Sequence, residues 1–349
     1  MLIKSQIEEI REHLNKAQNP VFFFDNDQDG LCSFLLLQRY LGRGKGFPIK
    51  TSFLTKDYFR KVEEFNSDYI FILDKPNVSE EFVEEVEKRN IPLIWIDHHD
   101  IDKEKIPHYI EYYNPLFGKE KSNEPTTLIC YQVTQKKEDS WIAIIGCISD
   151  NFVPDFYKEF SKDYPELSLN SEEAFGIFYG SEIGRLARIF GFALKDKISN
   201  VISMMKFLMN VKTPYEILEE NSKNKSLHKR FKELDKKYQK FFEKAKKMAS
   251  GDLVIFKYAG ETSMSSDIAN GLRYLFPTKI IFAIYTKGVK SNISGRGKNV
   301  RGLVLKAIEG LESATGGGHE NAVGAQVRKE DLEEFEKRIK DLVKKDKYL

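Results

Sequence analysis

The stretch Val21-Phe22-Phe23-Phe24-Asp25-Asn26-Asp27-Gln28-Asp29-Gly30 decides the fold. Four apolar residues in unbroken succession fit a strand buried on both faces, as in a parallel sheet covered by helices. Upstream, Ile3, Ile7, Ile10, Leu14 and Ala17 keep helical spacing until Pro20 stops the pattern. Downstream, residues 25–30 read as an acidic loop and residues 31–41 as a helix closed by Gly42. The unit is strand, acidic loop, helix.

The same grammar recurs. Residues 69–73 predict a strand ending at Asp74, and Ser79 caps a helix running to about Arg89. Residues 92–96 predict the next strand, which ends at Asp97-His98-His99. Thr126 and Thr127 read as the cap of an apolar helix, and apolar residues 141–148 lead through Ser149 into Asp150. For that last segment, periodicity leaves strand and buried helix both open. Strands alternating with helices imply an α/β fold with a parallel sheet. Ligands of such sheets bind outside the carboxyl ends of the strands, where three of these acidic motifs are expected.

Residues 155–250 look mostly helical, and residues 227–247 form a Lys-rich amphipathic pattern whose lysines read as a solvated face. The strand pattern returns at residues 253–258, 279–285 and 289–293. A glycine-rich segment at 294–302, a helix at 303–311, a second glycine segment at 315–319 and a charged helix at 329–345 complete the chain. No internal repeat is present. Three regions follow: a catalytic domain at 1–190, a helical connector at 191–250 and a smaller α/β domain at 251–349.

Composition narrows the function classes. A length of 349 residues suits about two domains, and 41% hydrophobic with 13% aromatic residues is enough for packed cores. The net charge of +2 leaves nucleic-acid affinity to local basic patches. Residues 1–19 are charged throughout, which does not fit a signal peptide. No stretch approaches the roughly 18 apolar residues of a membrane span, so no membrane partner is expected. Cys32, Cys130 and Cys147 are far apart in apolar surroundings. They read as buried small hydrophobes in a reducing, cytoplasmic setting.

Asp25, Asp27 and Asp29 set three carboxylates at alternate positions after a buried strand. Like charges held together there call for cations. Mg²⁺ and Mn²⁺ want oxygen ligands, and a histidine nitrogen favours Mn²⁺ or other transition metals. Competing readings are an exposed acidic turn or a calcium loop of the EF-hand type. The second fails, because the Glu it needs about six residues after Gly30 is Leu36. Two of the six histidines stand together as His98 and His99 beside Asp97, and a carboxylate neighbour commonly orients a ligating imidazole. Asp74 or Asp150 alone reads as a helix cap. The four motifs together are far more specific.

At the other end, Arg296 offers bidentate donors amid glycines that let backbone approach a phosphate. Gly316-Gly317-Gly318-His319 sets exposed N–H groups beside an imidazole. Dinucleotide binding of the GxGxxG type fits poorly, since Val300 holds the third glycine position.

In order, Asp-x-Asp-x-Asp-Gly at 25–30, Asp74, Asp97-His98-His99 and Asp150 resemble the four motifs of the DHH phosphoesterase superfamily. Ser294-Gly295-Arg296 with Gly316-Gly317-Gly318-His319 looks like its DHHA1 companion domain. Within the superfamily the chain is most similar to RecJ-like nucleases of the compact archaeal type. The resemblance implies metal ligands at Asp25, Asp27, Asp29, Asp74, His98 and Asp150, with Asp74 bridging two ions. It implies that Asp97 stands behind the ligands and that His99 meets the phosphate or supports them. Arg296, Gly317, Gly318 and His319 would bind substrate across an interdomain cleft. Two divalent ions are expected, Mn²⁺ first and Mg²⁺ or Co²⁺ as alternatives, with a metal-bridged hydroxide as nucleophile.

The leading expectation is a single-strand-specific exonuclease acting on DNA or RNA, in repair or replication. A second is a phosphoesterase of small substrates: short oligonucleotides, a phosphoadenosine nucleotide or a cyclic dinucleotide. A third, from another class, is a replisome scaffold subunit that binds GINS.

Overall fold

The computed structural model describes residues 1–346. Its residues fall into two compact units, one of Met1–Phe231 and one beginning at Lys232, so the division lies inside the Lys225–Lys247 helix.

The first unit is a five-stranded parallel sheet between helices. Its strands are β1 (Val21–Asp25), β2 (Lys45–Ile49), β3 (Ile70–Leu73), β4 (Leu93–Ile96) and β5 (Glu111–Tyr113). They lie in the order β2-β1-β3-β4-β5 with every pairing parallel. Strand side chains alternate between faces, and the core divides accordingly. Phe22, Phe24, Phe71, Leu73, Ile94 and Ile96 pack with Leu31, Phe34 and Leu35 of the Gln28–Leu41 helix. Val21, Phe23, Ile70, Ile72, Leu93 and Trp95 pack on the opposite side with Phe59, Val62 and Phe82. Phe24 stacks on Phe34 at 5.1 Å, while Phe23 meets Phe82 edge-on at 5.6 Å. The unbroken apolar run of β1 is thus explained by two cores, one on each face. The edge strands β2 and β5 have no such run. β2 even carries Pro48, which an edge position tolerates.

Several local expectations change. The Gln28–Leu41 helix begins inside the acidic stretch, so Asp29 and Gly30 occupy its first turn instead of a loop. Residues 141–148 lie in a helix, Ser140–Ser149, buried from Trp141 through Ile148 because other helices surround it.

The second unit holds β6 (Leu253–Ala259), β7 (Ile280–Lys287), β8 (Lys290–Arg296), β9 (Thr315–His319) and β10 (Ala322–Arg328). Their order is β6-β7-β8-β10-β9, with β6 parallel to β7 and the remaining pairs antiparallel. Phe282, Ile284, Ile293 and Val323 pack with Val300 and Val304 of the Val300–Ile308 helix and with Phe335 and Ile339 of the Leu332–Asp346 helix. Both glycine segments are strand in large part. Ser294, Gly295 and Arg296 finish β8, and Thr315–His319 is the edge strand β9. Glycine weakens strands, but cross-strand pairing with β10 holds these in place. Among the described residues no helix is long and apolar enough to cross a membrane.

Candidate metal centre

The strand order reverses direction between β1 and β3, which makes their carboxyl ends the switch point of the sheet. Asp25 ends β1, and Asp74 follows β3 with a left-handed φ of +57°. A non-glycine residue in that region is strained. Asp74 N–H donates to Ile96 O at 2.9 Å, so the turn is tied to the neighbouring strand end.

Three further elements bring their acids to this point. Asp27 is the N-cap of the Gln28–Leu41 helix and accepts from Gly30 N–H at 2.9 Å. Gly30 is obligatory there, since a Cβ would lie 2.4 Å from Asp25 O. Asp29 accepts from Thr126 N–H at 2.9 Å and Thr127 N–H at 2.7 Å, at the start of the Thr126–Thr134 helix. Thr126 and Thr127 therefore do not cap their helix, as sequence suggested. Pro125 holds that position, and their amides grip a distant carboxylate where the helix dipole favours an anion. Asp150 caps the C-terminus of the Ser140–Ser149 helix, the dipole end that disfavours a carboxylate. Helix capping does not account for its position.

His98 draws these groups together. Its Nε2 lies 3.2 Å from Asp150 Oδ2, 3.3 Å from Asp74 Oδ1 and 3.8 Å from Asp29 Oδ2. The ligand atoms of Asp29, Asp74 and His98 lie within 4.8 Å of one another, and so do those of Asp74, Asp97 and His99. Asp74 is common to both groups. In the second, Asp97 and His99 are spent on each other, with His99 Nδ1 2.8 Å from Asp97 Oδ1. Tyr112 O–H donates to Asp97 Oδ2 at 3.3 Å, and Asn114 Nδ2 donates to Tyr112 Oη at 2.8 Å and to His99 O at 2.9 Å. Asp97 is fully buried and serves as the orienter of His99.

Electrostatics carry the mark of missing positive charge. Burial and the neighbouring Asp25, Asp29 and Asp150 push the Asp27 carboxyl up to about 8. Burial and Asp150 raise Asp29, and burial with Asp29 and Asp27 raises Asp74. Burial alone would lower His99, but the Asp97 carboxylate lifts it to about 9. Burial likewise opposes ionisation of Asp97, yet His99 holds it below the usual carboxylate range. Among the described residues the buried Asp74 Oδ1 accepts no hydrogen bond. Buried acceptors are nearly always paired, and a carboxylate oxygen left so is suited to a cation. Carboxylate oxygens with one imidazole nitrogen are a donor set for a hard divalent ion with some transition-metal character.

The sequence reading missed Lys75. Its ammonium is buried and donates to Asp25 Oδ1 at 2.7 Å and to Thr51 O at 2.8 Å. Only its place directly after Asp74 could have flagged it. Tyr112 and Asn114 were also missed, because nothing in their local sequence distinguishes them.

In the second unit Arg296 donates through Nε to Asn270 Oδ1 at 2.5 Å and through Nη1 to Gly295 O at 2.8 Å. Asn270, on the Ser265–Leu275 helix, thus aims the guanidinium. All five residues of β9 are exposed, and β9 pairs with β10 along one edge only. Gly318, at φ +132°, would bring a Cβ within 2.5 Å of Ala322 O, whereas Gly317 has open space around it.

Residues 21–149 match the DHH family, N-terminal domain, and residues 251–345 match the DHHA1 domain. No curated protein matches the chain by sequence. RecJ of Thermus thermophilus in complex with Mn²⁺ is 15% identical with a TM-score of 0.68, over 98% of this chain and 54% of that one. The chain thus spans about half the length of that protein. Exonuclease RecJ bound to manganese is 14% identical with a TM-score of 0.62, over 96% and 92% of the two chains. CDC45 from Entamoeba histolytica is 9% identical with a TM-score of 0.55, over 96% and 98%. Such likenesses are likenesses of fold.

Proposed function

The chain belongs to the DHH/DHHA1 family and has its RecJ-like phosphoesterase fold, and on that premise we propose that it hydrolyses single-stranded nucleic acid as an exonuclease. The observation that carries this reading is the meeting of Asp27, Asp29, Asp74, His98 and Asp150 at one sheet switch point, with Asp74 Oδ1 buried and, among the described residues, without a hydrogen bond. These residues would hold two divalent ions, Mn²⁺ first, and Asp74 belongs to both groups of neighbouring ligand atoms. Asp25 stands beside them, paired with Lys75. Bound there, the ions would supply Lewis acidity and a nucleophile at neutral pH for in-line phosphoryl displacement.

The chain's own groups have distinct tasks. His99, protonated through Asp97, donates to a phosphate oxygen. Tyr112 and Asn114 keep that imidazolium in one orientation. Arg296, aimed by Asn270, binds phosphate, and Gly317, Gly318 and His319 offer exposed backbone and an imidazole to the nucleotide.

The test is a digest of labelled single-stranded DNA and RNA of several lengths with Mn²⁺, Mg²⁺ or EDTA. Stepwise shortening of long strands, abolished by EDTA, supports the reading. Hydrolysis confined to dimers and trimers would move it to a small-substrate phosphoesterase. No hydrolysis of any substrate would favour a scaffold role, with a replisome component such as GINS as partner.

A further inference from the structure

Among the described residues Lys75 is the one buried lysine, and it sits against the acidic centre. The left-handed turn at Asp74 reverses the chain, so that Lys75 returns toward β1. Its side chain is only 4% exposed, and its ammonium spans Asp25 Oδ1 and Thr51 O. Its main-chain carbonyl accepts from the Trp95 indole N–H at 3.0 Å. Trp95 in turn packs edge-on to Tyr112 at 5.0 Å, the residue that holds Asp97. A long, flexible lysine is thus clamped at both ends, against the rotamer entropy of its four-carbon stem. A buried ammonium persists only where a partner compensates its desolvation.

We propose that Lys75 is a resident cation that holds Asp25 out of the metal set. The inference rests on the metal-dependent reading above. In this arrangement Asp27, Asp29, Asp74, His98 and Asp150 carry the ions. Lys75, not an ion, neutralises the first carboxylate of the Asp-x-Asp-x-Asp-Gly motif. Lys75 is then a positioning residue: it acts on substrate through the charge and location of Asp25. Two geometrical facts favour this over a shared Asp25. The lysine takes Oδ1 at a charge-assisted distance of 2.7 Å. His98 Nε2 lies beside Asp29, Asp74 and Asp150, whereas the partner of Asp25 is the Lys75 ammonium.

The experiment is Mn²⁺ binding without substrate, by calorimetric titration and by electron paramagnetic resonance. It compares wild type with Asp25→Asn, Lys75→Met, Lys75→Arg and the Lys75→Met/Asp25→Asn double variant. Asp25→Asn is expected to keep the number of bound ions, with affinity lowered about tenfold because the Lys75 charge is no longer offset. Lys75→Met frees Asp25 and removes a like charge near the ions, so Mn²⁺ affinity should rise about tenfold or more. Lys75→Arg should behave as wild type, and the double variant should return toward it. Loss of one bound ion in Asp25→Asn overturns the proposal. So does unchanged Mn²⁺ binding in Lys75→Met. If Lys75→Met fails to fold, Asp25→Asn and the charge-balanced double variant still decide. Ion counts need no turnover, so an error in the assigned activity leaves this result readable.

Discussion

The two sheets place chemistry in opposite ways. At the switch point of the first, carboxylates are buried, crowded and short of positive charge. At the edge of the second, β9 is fully exposed and offers glycine backbone with almost no side chain. The first region stores electrostatic cost until a cation arrives. The second stores nothing and presents surface. A metal centre needs the former because ions exchange water for fixed ligands, whereas a recognition edge needs access.

The largest effect that would break this contrast belongs to the buried region. Asp74→Asn should lower hydrolysis by at least about 10²–10³-fold, the scale for losing one preorganised electrostatic group. Its Mn²⁺ binding should weaken in parallel in a titration. Near-normal turnover with Asn at this position would remove Asp74 from the centre.

Metal removal probes the stored cost. Mn²⁺ at about 100 times its dissociation constant should stabilise the fold by about 2.7 kcal/mol for each ion bound. Hydrogen exchange should show that protection concentrated at residues 25–30, 74–75, 97–99 and 150. Equal protection of β9 would mean that the ions act elsewhere.

On the exposed region the expected losses are in binding. Arg296→Ala should raise KM about 10- to 100-fold, as expected for a lost charge-assisted contact. Arg296→Lys should fall between, because lysine lacks the planar fork. Steady-state kinetics on a defined oligonucleotide decide this.

The acidity of the centre sets a pH signature in EDTA. Asp27, raised to about 8, and Asp29 and Asp74, also raised, stabilise the fold below their unfolded values near 3.8. That contribution is lost as pH climbs through the folded values. His99, raised to about 9 from 6.5, stabilises below 6.5 and loses this as pH rises through about 9. Asp97, lowered, contributes above its unfolded value and loses this only in acid. Thermal melts of the metal-free protein should therefore fall from about pH 6 to about pH 9, and Mn²⁺ should flatten the curve. A flat metal-free curve would contradict the charge crowding.

The smallest effect separates neighbouring glycines. Gly317→Ala should change stability by less than about 0.5 kcal/mol while raising KM a few-fold. Gly318→Ala should cost about 1–3 kcal/mol from its left-handed backbone. Urea melts of both variants compare them directly.

Much of this protein follows from local chemistry. The run Val21-Phe22-Phe23-Phe24 demands a strand covered on both sides, and the Asp and His motifs at strand ends demand a cation. Those are properties of side-chain polarity and strand periodicity, which a sequence carries in full. Harder to read were segments whose conformation depends on neighbours. Residues 141–148 became helix because other helices enclose them, and the glycine segments became strand because β10 pairs with them. The opening cluster changed in the same way. Thr126 and Thr127 grip Asp29 from a distant part of the chain, and Lys75 claims Asp25. Long-range pairs like these leave no periodic trace, because they depend on where β3 and the Thr126–Thr134 helix end in space. Sequence alone determined which acids assemble; only tertiary structure decided how each is neutralised.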